Sequence, residues 1–152
     1  LKVTRTSNGT AISNVTDNTA WANLGNNLGY SFYNNNTNNE AFYNRAAALV
    51  ACPQGWRLPS SGDITTLNSF ITSQGLNPAN ALRATSFSNG TDDYGFSANL
   101  TNYRNTNGAF TSHPNTLLAN QVGYFTVTPN AGEVLAYSID SSYGFCVRCV
   151  KE

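Results

Sequence analysis

A chain of 152 residues suits one domain, and a globule of that length hides roughly 70% of the surface its unfolded chain exposes, enough for a real core. Charged residues supply 11% of it, against roughly 25% in an average soluble domain, and the eight acidic and eight basic side chains cancel. Nucleic acid is therefore not an expected partner, since no cluster of Lys or Arg offers a phosphate-binding patch, and no apolar run approaches the ~20 residues that a membrane helix needs.

The water-facing surface is instead built from neutral amides and hydroxyls, with 23 Asn alone. Such surfaces favour exported proteins. Eight Phe, eight Tyr and two Trp argue for a folded chain rather than a disordered polar tract. No signal peptide is visible and there is no Met, so Leu1 reads as the start of a processed product or of an excised domain.

Residues 1–35 mix short alternating runs with Gly and Asn turns, which predicts one or two strands and loops rather than a helix. Over residues 40–51, Phe42, Ala46, Leu49 and Val50 recur at helical spacing. Asn38 or Asn39 is placed to cap this first helix, and Pro53 stops it. Ser60 and Asp63 have the spacing of a capping box, ahead of an apolar stripe of Ile64, Leu67 and Ile71. A second helix is predicted over 61–73, with Gly75 as its exit, and a short helical turn over 78–83. Beyond Ala84 the helical period ends. Segments 96–100, 124–128, 134–139 and 145–150 read as strands, with a hairpin connection at Pro129-Asn130-Ala131-Gly132.

The chain has three cysteines, so one is left over if a disulfide forms. In the last strand the period of two puts Phe145, Val147 and Cys149 on one face and Cys146, Arg148 and Val150 on the other. The first face is the more apolar and is assigned to the core. Cys149 is then the better partner for Cys52, with Cys146 as the free thiol; three buried free thiols are the alternative. Cys146 and Cys149 lack a second pair of ligands, so neither a metal site nor any other cofactor is expected.

Several blocks together carry a resemblance. They are Tyr43-Asn44-Arg45-Ala46-Ala47-Ala48, Ala51-Cys52-Pro53-Gln54-Gly55-Trp56-Arg57-Leu58-Pro59-Ser60, Gly95-Phe96-Ser97-Ala98, Tyr103-Arg104, Gly123-Tyr124-Phe125 and Gly144-Phe145-Cys146-Val147-Arg148-Cys149-Val150-Lys151. In this order, from about residue 40 to the end, they resemble the Fibrobacter succinogenes major paralogous domain (FISUMP) family. That family and a relative, the C-terminal domain of Legionella collagen-like protein, are similar to C-type lectin-like domains. The resemblance implies an α+β, C-type lectin-like fold, with two helices before a twisted antiparallel sheet and the chain ends close together. The whole chain, 1–152, is expected to be one domain with a core over 36–152; residues 1–35 are either an added edge strand or a remnant of a preceding module. Arg45 stands where the family commonly has Trp, and Cys146 where it commonly has Ser.

The sequence supports no catalytic centre. Formylglycine-generating enzymes share a version of the implied fold and a similar Arg-Leu-Pro turn, but their chemistry needs a reactive cysteine pair holding copper. His113 has no nucleophile or acid placed beside it by any motif, and Asp92, Asp93 and Asp140 lack regular calcium-ligand spacing. Trp56, Leu58 and Phe145 read as core, and Arg57 and Arg148 as partners of carbonyls or acids.

The expectation is a non-catalytic extracellular or cell-surface binding or adhesion module for a glycan or protein. The alternative is a self-assembling structural component of an appendage or a virus particle. The irregular stretch between Gly95 and Asn120, joined by the 128–133 hairpin, is the expected contact surface. Its candidate ligand-binding residues are Tyr103, Arg104, Asn105, Asn107, His113 and Asn115.

Overall fold

The computed structural model describes residues 1–99, 102–113, 116–121, 123–128, 133–138 and 142–152. It is a mixed α+β structure of short elements. In chain order these are β1 (Ser13–Asn14), α1 (Asn18–Ala22), β2 (Gly29–Phe32), β3 (Ala41–Asn44), α2 (Arg45–Ala51), β4 (Trp56–Arg57), α3 (Ser61–Ser73) and α4 (Pro78–Leu82). There follow β5 (Asn102–Arg104), β6 (Phe110–Ser112), β7 (Thr116–Ala119), β8 (Gly123–Val127), β9 (Leu135–Ser138), β10 (Gly144–Phe145) and β11 (Val150–Lys151). One sheet has the order β1-β2-β3-β10-β5-β6, a second pairs β11 with β4, and a third runs β7-β8-β9. Among the described residues these strands pair antiparallel except β1 with β2, which is parallel.

Two apolar clusters meet at the third sheet, because successive side chains on a strand point to opposite faces. Ala119 and Tyr124 pack with Tyr43, Ala47, Ala51, Leu58, Phe145 and Val147. Leu118, Phe125 and Val127 pack with Ile64, Ile71, Leu82, Ala98 and Val134.

The sequence reading of α3 holds in detail. Ser60 Oγ accepts from the Asp63 amide at 3.1 Å and the Asp63 carboxylate accepts from the Ser60 amide at 2.6 Å, so both halves of the capping box form. Gly75 leaves the helix at φ +77°, where a Cβ would be strained. Asp63 also accepts two hydrogen bonds from the Arg57 guanidinium, at 2.6 and 3.0 Å. Arg57 first, then Ser60, holds this carboxyl well below the usual carboxylate range. A depressed folded-state value contributes stability above the unfolded pKa of about 3.9 and loses it as pH falls toward the folded value. Asp63→Asn is therefore expected to lower stability at neutral pH and flatten the acid limb of an unfolding titration followed by circular dichroism; an acid limb identical to that of the parent chain would contradict the assignment.

The first helix differs from its prediction. Ala41–Asn44 is a strand, wholly buried, paired with β2 on one side and β10 on the other. A strand covered on both faces shows no alternation, so its apolar residues mimic helical spacing. The helix starts only at Arg45. Its cap is Asn44, whose Oδ1 accepts from the amides of Ala47 and Gly29 at 3.1 Å each. Ala47, Ala48 and Ala51 face the core, whereas Leu49 and Val50 are exposed.

Residues 1–35 are built into the main sheet. β1 forms its edge, as one of the two expectations had it, but β2 is internal. Contrary to prediction a helix also occurs here: Asp17 caps α1 by accepting from the Ala20 amide at 2.8 Å, and this buries Trp21. The Trp21 indole donates to the Ser142 carbonyl at 2.9 Å, and a Cβ at Gly144 would stand 2.6 Å from its ring. The N-terminal ammonium donates to the Val147 carbonyl at 3.1 Å, which brings the start of the chain to its last strands.

The C-terminal stretch is a strand at each end, β10 and β11, around an isolated bridge from Cys146 to Leu118. Its faces are as read: Phe145 and Val147 are buried, Cys149 is bonded to Cys52 with Cα atoms 5.8 Å apart, and Cys146 is free. Segment 96–98 forms only a bridge from Ala98 to Arg83, and Leu100 lies outside the described residues, as do 129–132 of the expected hairpin.

Candidate binding cleft

The stretch expected to be irregular carries three strands, β5, β6 and β7, and it divides the candidate residues. Tyr103 and Arg104 are neighbours on β5 and so point to opposite faces. Tyr103 stays half-buried at the surface, its ring 6.2 Å from His113, 6.0 Å from Tyr143 and 6.1 Å from Phe145. Tyr143 and Tyr124 extend this aromatic row, with Tyr124 4.9 Å from Phe145 and stacked on Tyr137 at 5.2 Å.

Arg104 is fully buried. Its guanidinium serves backbone carbonyls instead of a ligand, which corrects the expectation of an exposed contact. Asn105 and Asn107 tie down their own turn: Asn105 Oδ1 accepts from the Thr106 amide at 2.6 Å, and Asn107 Oδ1 from the Ala109 amide at 3.0 Å. Asn115 lies outside the described residues. The structure thus brings Tyr103 and His113 together, buries Arg104, and engages the Oδ1 atoms of Asn105 and Asn107 in their own turn.

A cleft of about 650 Å³ opens elsewhere, between α3, the loop at Tyr94-Gly95-Phe96, and residues 148–150. Its floor is Ile64, Leu67 and Phe125; Phe70, Tyr94, Phe96 and Arg148 line the walls. The amphipathic pattern of α3 explains this placement. Ile64 and Ile71 sink into the core, and Phe70, one position off that stripe, is 52% exposed. It meets Tyr94, itself 42% exposed, at 5.8 Å between ring centroids. Such rings are large apolar surface left in water beside a few polar groups, the usual make-up of a ligand site.

Two acids stand near the cleft and both are engaged. Asp63 is held by Arg57 and Ser60; Asp92 accepts from the Ser97 amide at 2.6 Å and from its hydroxyl at 2.5 Å, which lowers its pKa. Arg148 lies 4.3 Å above the Phe96 ring and donates through Nη1 to the Phe96 carbonyl. The reading of Arg57 and Arg148 as partners of acids and carbonyls is accurate. That of Trp56 as core is not: it is 45% exposed on β4, while Leu58 and Phe145 are buried as expected.

The model of the Fibrobacter succinogenes major domain family matches residues 1–151. The chain belongs to this family. The match takes in the first 35 residues, which the resemblance from about residue 40 onward had left out, and it agrees with their place in the main sheet of this Fibrobacter succinogenes major domain. No match is found among curated proteins or among solved structures. Among the described residues, no helix is long and apolar enough to cross a membrane.

Sequence reasoning missed the cleft because its walls come from segments far apart in the chain. One signal was present: Phe70 is a bulky apolar residue outside the stripe that buries α3.

Proposed function

We propose that this domain is a non-catalytic binding module of an exported surface protein, which recognises a glycan or protein through the α3 cleft on a C-type lectin-like scaffold. The observation that carries the reading is the pair of exposed rings, Phe70 and Tyr94, facing an open cleft. Sugar rings present C–H faces that suit aromatic π-faces, and proteins present apolar side chains that do so equally. The Cys52–Cys149 bond fits an oxidising compartment.

One feature supports a non-catalytic role. Burial pushes the Cys146 thiol up to about 12, which leaves little thiolate at neutral pH to act as a nucleophile. The scaffold reading is supported by α2 and α3 preceding the sheet of β7, β8 and β9, and by the contact of Leu1 with Val147 near the disulfide.

Glycan and protein arrays with the purified domain test this reading. Against any ligand so found, Phe70→Ala with Tyr94→Ala is expected to weaken binding at least about tenfold, worth about 1.4 kcal/mol, with little change in melting temperature because both rings are half in water. Unchanged affinity would contradict the assignment.

A second reading, self-assembly as an appendage or particle component, is favoured by one observation. β9 is an edge strand that exposes Leu135 and Tyr137, with no Lys or Pro to blunt it. Sedimentation that stays monomeric with rising concentration argues against it.

A further inference from the structure

The Arg148 guanidinium has more hydrogen-bonding capacity than the fold uses. Of its five N–H donors, one is directed at the Phe96 carbonyl. This bond and the Phe96 ring, 4.3 Å from the guanidinium carbon, hold the side chain at the cleft wall. The carboxylates that would normally pair with it are occupied: Asp63 forms its ion pair with Arg57, and Asp92 is capped by Ser97. Among the described residues Arg57 and Asp63 form an ion pair, and Arg148 forms none. An exposed arginine anchored by one hydrogen bond at the cleft wall keeps donors free to take a carboxylate through two parallel N–H bonds.

We infer that the α3 cleft binds an acidic sugar, a uronate unit within a glycan, with Arg148 holding the carboxylate and Phe70 and Tyr94 packing on the sugar ring. This rests on the reading of the cleft as the binding site and names its ligand class. Charge complementarity selects the acid. Size selects a short glycan over a protein face, since about 650 Å³ falls within the range of small-ligand sites, whereas a stable protein interface needs about 800 Å² from each partner. The opposing charges are Asp63 on the cleft lining, offset by its ion pair with Arg57, and Asp92 nearby, held by the Ser97 bonds.

The test uses tetramers of galacturonate, glucuronate and mannuronate, each beside its fully methyl-esterified form, titrated calorimetrically into the intact domain. The ester keeps the ring and removes the charge. At least one acid is expected to bind about tenfold more tightly than its ester, with the gap narrowing as salt is added. Arg148→Gln should bring acid and ester together while Tyr94→Ala weakens both, and the acid-to-ester ratio of the parent domain stands as a readout even if the Gln variant folds poorly. Equal binding of acid and ester, or a preference that survives Arg148→Gln, overturns the inference but leaves the cleft as a glycan site. If no tetramer binds in either form but the arrays yield a protein that Phe70→Ala releases, the uronate assignment fails and the cleft stands. If nothing binds there at all, both fail.

Discussion

Arg104→Ala is expected to destabilise the domain by about 3–5 kcal/mol, more than any other replacement of one polar side chain considered above. The fully buried guanidinium is the hub that joins the N-terminal segment to the main sheet. Nε donates to the Gly108 carbonyl at 2.8 Å, Nη1 to the Val15 carbonyl, and Nη2 to the carbonyls of Thr16 and Asp17 at 3.3 and 3.2 Å and to Asn18 Oδ1 at 3.3 Å. The charge lies between the Trp21 and Phe110 rings, 4.4 and 4.9 Å from their centroids. Burial lowers its pKa to about 10, which leaves it protonated at neutral pH. Truncation takes the donor from the Gly108 and Val15 carbonyls, while those of Thr16 and Asp17 keep Asn35 and the Trp21 amide, and it opens a cavity beside Trp21. Arg104→Lys is expected to recover less than half the loss, because one ammonium cannot reproduce a planar fork. Urea unfolding measures both, and a loss below about 1 kcal/mol for the Ala variant would contradict this role.

The second large effect is that of the disulfide. Cys52 and Cys149 close a loop across a sequence separation of 97 residues, for which the chain-entropy account gives up to about 4–5 kcal/mol. Reduction is expected to lower the unfolding midpoint by a corresponding amount without abolishing the fold's secondary structure under mild conditions. Peptide mapping of the unreduced protein should recover the Cys52–Cys149 pair and an unmodified Cys146, which alkylates slowly because burial raises its thiol to about 12. A Cys52–Cys146 linkage would refute the face assignment of the last strand.

Local chemistry was legible wherever one short stretch contained the whole cause. The α3 cap needs only Ser60 and Asp63, and the free cysteine follows from a period of two across Phe145 to Cys149. Elements fixed by distant partners were not. β3 is a strand because β2 and β10 flank it, and nothing within residues 41–44 announces those neighbours. α1 hides behind a polar Asn-Thr run although Asp17 is a good cap, because the reason to fold there is Trp21 docking more than a hundred residues away. Arg104 reads as a surface arginine for the same reason: its acceptors lie in residues 15–18 and at Gly108. The same gap hid the cleft, whose parts come from α3, the loop at Tyr94 and residues 148–150, three segments that no single stretch of sequence links.

The central claim is that a partner touches the α3 cleft. An amide chemical-shift map of the isotopically labelled domain, titrated with the strongest array ligand, tests it most directly. The prediction is that shifts concentrate at residues 63–70, 94–96 and 148–150, with Tyr103 and His113 quiet. Shifts confined to residues 102–113, with the cleft silent, would contradict it.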